Sequence, residues 1–244
     1  MSQNRRIKTQ EELVQGYFLN RLNRFCVQVK LETSEVLAHL PNSGRLKELL
    51  RPNARVFLTR HDKPGRKTPY DLVLVKKGNR LISCDARLPN QVVYRALADH
   101  ALGEINDYKE IKKEAAFKRG RLDFRLAGGR SPWLIEVKSV TLVDQGIGLF
   151  PDAPTLRGTG HVRKLIAAVK QGYRAGIIFV VQRSDASGFA ANDAQDPDFG
   201  QALRQAQAAG VLVLAYACRV NLTEVTLDRP LPVLLEEKAV GGTL

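Results

Sequence analysis

Sulfur is scarce in this 244-residue chain, which has three cysteines and one methionine. Cys26, Cys84 and Cys218 are odd in number, far apart and never in a C-x-x-C pair, so neither a disulfide framework nor a zinc knuckle is indicated. They read as small buried hydrophobes. Long apolar runs are missing too. The longest, 176–181 and 211–217, are too short to span a bilayer, and the opening Met-Ser-Gln-Asn-Arg-Arg lacks the apolar core of a signal peptide. No membrane association is expected, and the expected location is cytoplasmic. Acidic residues are in deficit: 25 Asp and Glu stand against 38 Lys and Arg, giving a formal charge of +13. With 26% charged and 44% hydrophobic residues, and no internal repeat or low-complexity tract, the chain is otherwise an ordinary globular sequence.

The positive surplus is unevenly placed. Residues 1–90 hold 18 basic and 8 acidic side chains, whereas 91–244 hold 20 and 17. Within the second part, 109–174 alone carries 14 basic and 6 acidic residues. A polyanionic partner follows, and nucleic acid is favoured over a membrane surface because no basic amphipathic anchor helix is evident.

The length suits one large or two small domains. Within 18–31, Phe25, Val27, Val29 and Leu31 alternate strictly, as in a half-buried strand, preceded by Arg21 and Arg24. Further strands are expected at 36–40, 56–59, 70–75 and 81–85, the last two joined by a Lys-Lys-Gly-Asn turn at 76–79. Pro-Asn-Ser-Gly at 41–44 suggests a turn, with Ser43 capping one helical turn over 45–50. Five short strands and one brief helix suit a small closed barrel. An OB-fold is favoured because one of its faces binds nucleic acid, with an SH3-like barrel as the alternative. Its candidate nucleic-acid contacts are Arg21, Arg24, Ser43, Gly44, Arg45 and Lys67, Ser43 and Gly44 offering backbone donors to phosphate. Phe18, Phe25, Phe57 and Tyr70 interleave with Arg21, Arg24 and Arg55 as a base-stacking face requires, although a barrel this small also needs large residues inside.

After Leu-Pro-Asn at 88–90 the periodicity changes. Helices expected near 92–102, 159–175 and 198–209 combine with strands near 121–127, 132–139, 176–182 and 211–217, the pattern of an α/β domain on a mixed sheet. The expected division is 1–88 and 89–244.

The second domain holds an unusual set of residues. Strand side chains alternate faces, so Glu136 and Lys138 point one way while Ile135 and Val137 point the other. An acid and an ammonium on a buried strand need each other or a ligand. A turn at Gly128-Gly129 lets Asp123 lie beside Glu136. Two converging carboxylates make a site for a hard divalent cation, Mg²⁺ or Mn²⁺, with Lys138 placed to hold an attacking water or steady charge on a phosphate. A cross-strand ion pair without chemistry is the bland alternative. His161 opens a helix between Arg157-Gly158 and Arg163-Lys164, where it meets a phosphate or serves as a packing group. Gln182 ends a buried strand and is a candidate amide beside the acid pair, whereas Arg183 and Asp185 are expected to pair with each other.

Several blocks, in this order, resemble the sugar fermentation stimulation protein A family over nearly the whole chain: AHLPNSGRL at 38–46, KTPYDLV at 67–73, RLDF at 121–124, EVKSVTL at 136–142, FPDAPT at 150–155, Arg157-Gly158 with His161, and QRSD at 182–185. The resemblance implies an α+β protein of two domains: an N-terminal OB-fold-like β-barrel followed by an α/β PD-(D/E)xK, restriction-endonuclease-like nuclease domain. It implies binding to DNA without clear sequence specificity, RNA being an alternative polymer, and a historical link to sugar or maltose metabolism. Under it, Asp123 and Glu136 are the metal ligands, Asp123, Glu136 and Lys138 form the nuclease motif, and Glu110, or else Glu114, is the acid that a helix adds to such sites. Arg121 lies in a matching block and joins the nucleic-acid contacts. Gly120 stands where relatives often carry Ser, which alters the entry to this strand. A non-catalytic DNA-binding regulator of carbohydrate genes is the competing reading.

The charge distribution generates a prediction. Affinity for nucleic acid should fall steeply with added salt and vary little with sequence, because phosphate neutralisation releases counterions. Titrations of unrelated oligonucleotides at several salt concentrations check it, and a salt-insensitive, site-specific affinity refutes it.

Overall fold

The computed structural model describes residues 6–8, 13–62, 64–118 and 120–236. The chain begins with β1 (Arg6–Lys8) and then forms the barrel strands β2 (Leu13–Asn23), β3 (Cys26–Lys30), β4 (Glu35–His39), β5 (Arg55–Arg60), β6 (Tyr70–Lys77) and β7 (Arg80–Ser83). Strands β2 to β6 run in the order β4-β3-β2-β5-β6 and close through a parallel β4–β6 pairing at Ala38–Tyr70 and His39–Asp71. This is a five-stranded barrel with a sixth strand, β7, hydrogen-bonded outside the ring to β6.

Two barrel expectations are corrected. The long first strand, Leu13–Asn23, was not anticipated, and 81–85 was counted into the ring although its strand is the added one. In β2 only Gly16 and Phe18 are buried while Leu22 is exposed, so its hydrophobic alternation is faint. Gly16 is required there: a Cβ on it would lie 2.6 Å from Val29 Cγ1, so β2 bends over β3 only where a side chain is missing. The helical turn over 45–50 is also absent. Leu46 has φ +53°, and the Asn42 and Asp152 carbonyl and carboxylate oxygens accept from the Gly44 and Leu46 N–H groups, so the segment is a loop with a turn at 47–49.

The second domain starts with α1 (Leu88–Ala98), a helix earlier by about a turn than its expected start. It continues through β8 (Glu110–Ala116), β9 (Arg121–Ala127), β10 (Trp133–Val140), β11 (Val143–Asp144), β12 (Ile147–Phe150), α2 (Leu156–Val169), β13 (Arg174–Val181), β14 (Gly188–Ala191), α3 (Pro197–Ala208), β15 (Leu212–Val220), β16 (Glu224–Pro230) and β17 (Val233–Leu234). Seven strands form one mixed sheet in the order β1-β16-β15-β13-β10-β9-β8, and β11-β12-β14-β17 form a smaller one. The three central strands β10, β13 and β15 are parallel, and the antiparallel strands lie to either side. Helices α2 and α3 cover one face and α1 the other. The first strand, β1, pairs with β16, so the N-terminal segment belongs to the large sheet and the division at 88/89 does not collect every element of the second unit.

The two units meet through polar groups fixed in place. Gln182 accepts from Ser83 Oγ at 3.0 Å and donates to Ser139 Oγ at 2.9 Å, while its backbone carbonyl accepts from Ser83 N. The fully buried Arg183 guanidinium donates to Asp185, to the Thr141 carbonyl and to Glu48 of the barrel. Removing one partner from a buried charge network costs about 3 kcal/mol or more. Arg183→Ala is therefore expected to lower the melting temperature by roughly 6 °C or more for a chain of this size. Circular dichroism melts of wild type and variant check this.

Candidate active site

The site arises where two neighbouring strands part. Register between β9 and β10 runs from Trp133–Leu126 to Ile135–Phe124 and then stops. Beyond it the Val137 N–H donates 2.7 Å to Asp123 Oδ2, a side chain replacing the lost backbone acceptor. The strands splay at this point, and Asp123 occupies the fork.

Alternation along β10 sends Trp133, Ile135 and Val137 into the core beneath α1, and Leu134 and Val140 into the core beneath α2. Glu136 and Lys138 interrupt the α2-facing row, so a carboxylate sits on an otherwise apolar face. Glu136 is 2% exposed. Its Oε1 accepts from Lys138 Nζ at 2.5 Å and from His161 Nδ1 on α2. Its Oε2 is buried and has no hydrogen-bond partner. Asp123 Oδ1 accepts from Asn90 Nδ2 of α1 at 2.8 Å. A cavity of about 350 Å³ opens onto Asp123, Glu136, Lys138 and His161, with Arg121 and Arg157 on its rim and Ser43 of the barrel on its far wall.

The electrostatics of the two acids differ. Burial, reinforced by the Glu136 charge, pushes the Asp123 carboxyl above its usual range despite the hydrogen bonds from Val137 and Asn90. Burial also pushes Glu136 up, but the hydrogen bond from His161 and the charge of Lys138 outweigh it and leave this carboxyl below its usual range. The donor set fits a hard divalent cation. A buried carboxylate oxygen without a hydrogen-bond partner belongs to the same cavity as a second carboxylate, whose charge is disfavoured by burial and by the Glu136 anion. Among the described residues no group of three or more His, Cys, Asp or Glu is arranged as a ligand cage, so two acids are what the protein offers and water or substrate oxygens complete the sphere.

Of the expected site residues, Asp123, Glu136, Lys138 and His161 come together, and Arg121 reaches the same cavity. Glu110 does not. It lies at the start of strand β8, paired with Ala127, so neither it nor Glu114 is a helix acid. The basic, polar run 109–114 carries no helical stripe, and edge-strand pairing to β9 decides its conformation. Glu114 nonetheless lines the cavity, from an exposed position with φ +52°. Gln182 is held by Ser83 and Ser139 and makes no hydrogen bond to either acid. Two contributors were missed: Asn90 and Arg157. Asn90 lies before the expected helix start near 92, yet Pro89 in the first turn of α1 is itself a helix-start signal that could have found it.

The barrel candidates divide as well. Arg21 donates to the carbonyls of Asn23, Arg24, Asn42, Gly44 and Arg45, so its guanidinium is used up holding the 42–45 loop rather than free for phosphate. Arg45 is exposed and donates to Gln195 Oε1 at 2.6 Å, and Lys67 is exposed on the loop before β6. Of the aromatic set, Phe18 and Phe57 are core residues, Tyr70 is half-buried against the barrel core, and Phe25 is exposed under the Arg24 guanidinium at 5.6 Å; Tyr17, outside that set, is a second exposed ring.

Family models match both halves of the chain: "SfsA N-terminal OB domain" over residues 19–84 and "Sugar fermentation stimulation protein RE domain" over 87–224. Sugar fermentation stimulation protein homologs from Clostridium acetobutylicum and Caldanaerobacter subterraneus subsp. tengcongensis are 43% and 42% identical over 89% and 91% of this chain, and over 95% and 97% of their own lengths. A solved structure of Pyrococcus furiosus SfsA, in complex with Ca²⁺, superimposes with a TM-score of 0.85 at 28% identity, covering 93% of this chain and 99% of that one. The OB barrel expected from the strand pattern is thus the observed one, and the second domain is built of mixed sheets with few helices. No helix among the described residues is long and apolar enough to cross a membrane.

The opposed shifts of the two acids have opposed consequences for stability. A carboxyl held above its unfolded pKa weakens the fold once pH exceeds the unfolded value, and one held below it strengthens the fold at neutral pH and loses that contribution as pH falls. With divalent ions chelated, Asp123→Asn is expected to melt higher than wild type near neutral pH, the gain shrinking on acidification. Glu136→Gln is expected to melt lower, since Lys138 and His161 lose their anion. Thermal melts across the acid-to-neutral range check both signs.

Proposed function

The chain belongs to the sugar fermentation stimulation protein family, and from that footing we propose that it binds DNA with little sequence preference and hydrolyses phosphodiesters with Mg²⁺ or Mn²⁺ in a PD-(D/E)xK-type site. The observation that carries the reading is the unpartnered buried Oε2 of Glu136 beside Asp123, with an ammonium already on the other Glu136 oxygen. The Ca²⁺ complex of Pyrococcus furiosus SfsA supports it, because Ca²⁺ favours the same oxygen donors as Mg²⁺.

Asp123 and Glu136 would hold the cation, which would supply Lewis acidity toward a water and a phosphate oxygen. Asn90 and the Val137 N–H keep Asp123 from rotating away. Lys138 is held 2.5 Å from Glu136 and lines the cavity, where it serves to orient the attacking water and steady charge on the phosphate. His161 shares the same carboxylate oxygen and fixes its direction. Arg121 and Arg157 on the rim draw the polyanion in.

One observation favours a second reading, a non-catalytic DNA-binding regulator of sugar or maltose metabolism genes. The acid expected from a helix is missing, and Lys138 and His161 both already hold the Oε1 of Glu136. Calorimetric titration and cleavage assays separate the two. Asp123→Asn and Glu136→Gln should lose divalent-ion binding while still binding DNA. Lys138→Ala should keep the ion but lose on the order of 10²-fold or more in rate. No cleavage of DNA or RNA by wild type with Mg²⁺ or Mn²⁺ transfers the assignment to the regulator.

A further inference from the structure

The cavity over the acid pair is the middle one of three that run into each other. On the barrel side it shares Ser43 and Ala86 with a cavity of about 190 Å³, whose walls include Arg24, Thr141, Phe150 and Pro151. On the opposite side it shares Glu114, Arg121, Arg157 and His161 with a cavity of about 460 Å³ that ends at Gly120 and Lys164. A groove therefore crosses the molecule from the β2–β3 turn of the barrel, past the two carboxylates, to the gap between α2 and the β8–β9 hairpin.

Its lining changes along the way. The barrel end offers the Arg24 guanidinium, hydroxyls and a proline beside the Asp152 carboxylate, while the Phe150 ring is turned into the core against Phe179 and Phe199, so this end suits the sugar-phosphate backbone rather than a stacked base. The far end offers cations. Lys164 is half-buried, has no ion pair among the described residues, and rests its ammonium against Gly120 where a side chain would begin. Three cations, Arg121, Arg157 and Lys164, share this cavity with one carboxylate, Glu114, which lies 3.9 Å from Arg121, so the surplus of positive charge makes it a place for an anion.

The depth of the acids selects the occupant of the groove. Glu136 is nearly inaccessible at the bottom, with the barrel loop on one side and the hairpin on the other. A duplex is a stiff rod that does not bend a phosphate down between those walls, whereas a single strand does. We propose that the groove is the track of a single-stranded nucleic acid, lying from Arg24 to Lys164, with one phosphate at the Arg24 guanidinium and the phosphate of a nucleotide beyond the reacting one on Lys164. This rests on the phosphodiester reading above and names its substrate class.

The test measures binding without chemistry. A fluorescent single-stranded DNA ten nucleotides long and the same sequence as a duplex are titrated by anisotropy in EDTA, using wild type, Lys164→Gln, Arg24→Gln and, away from the groove, Lys77→Gln. The single strand should bind more tightly than the duplex. Lys164→Gln and Arg24→Gln should each weaken it about tenfold and lower the salt slope by about 0.7, the contribution of one phosphate contact to a single strand, with Lys77→Gln close to wild type. Equal or tighter duplex binding, or losses no larger in Lys164→Gln than in Lys77→Gln, overturns the proposal. Ca²⁺ titration of the same proteins keeps the readings apart. Loss of the groove effects with Ca²⁺ binding intact refutes the track alone, whereas absent Ca²⁺ binding in wild type refutes the metal site and leaves the EDTA result to stand by itself.

Discussion

Everything at the candidate site follows from placing a carboxylate on the apolar side of a central strand. Glu136 has almost no water around it, and burying an ion unpaired is far costlier than any single interaction available to repay it. The structure answers with Lys138 two residues along the same strand and His161 from the helix above, both on one oxygen. The other oxygen is left bare. That imbalance, one end saturated and one end empty, distinguishes the arrangement from an ordinary buried ion pair, in which both oxygens find donors. It also bears on the neighbouring acid: Asp123 is disfavoured as an anion first by its burial and then by the Glu136 charge, which the hydrogen bonds and Lys138 offset only in part.

How far the sequence anticipated this depends on the range of the interaction. Alternation is local, so the shared face of Glu136 and Lys138 was readable from two residues. The same holds for the β6–β7 hairpin, where Gly78-Asn79 announces the turn. The central strands of the mixed sheet were legible as strands because a buried strand is a short continuous apolar run, as 176–181 is; that β10, β13 and β15 run parallel is what the structure adds. What failed was decided by partners distant in sequence. Leu13–Asn23 is a strand because β3 and β5 lie on either side of it, not because its own pattern is strong. Glu110 sits in a strand because β9 offers an edge. Arg21 looked like a surface cation, yet five carbonyls of two loops converge on it. The orphaned oxygen of Glu136 has no sequence signal at all, since it records the absence of a neighbour.

The barrel and the second domain are also more closely coupled than a recognition module tethered to an enzyme. Arg183 is entirely inside the protein and reaches Glu48 of the barrel, and Asp152 of the second domain accepts from the Leu46 N–H. Both contacts hold the loop that carries Ser43, which forms the far wall of the cavity over the acids. The shape of that cavity is thus a joint property of two domains, and loss of a contact remote from the chemistry reshapes it.

The pairing of β1 with β16 gives the chain a topology that a linear map of domains hides. Arg6–Lys8 aligns with Glu224–Thr226, so residues over two hundred positions apart close the edge of the large sheet before the barrel and after it. In effect the barrel is a loop inserted into the second domain, entered from β1 and left through α1. Excising the second domain at residue 89 would strip β16 of its outer partner and leave a row of unpaired N–H and C=O groups on a long sheet, an edge that other chains can extend. Folding carries the same constraint: the first strand waits for almost the whole polypeptide before its place exists, a non-local closure of the kind that slows the last stage of assembly.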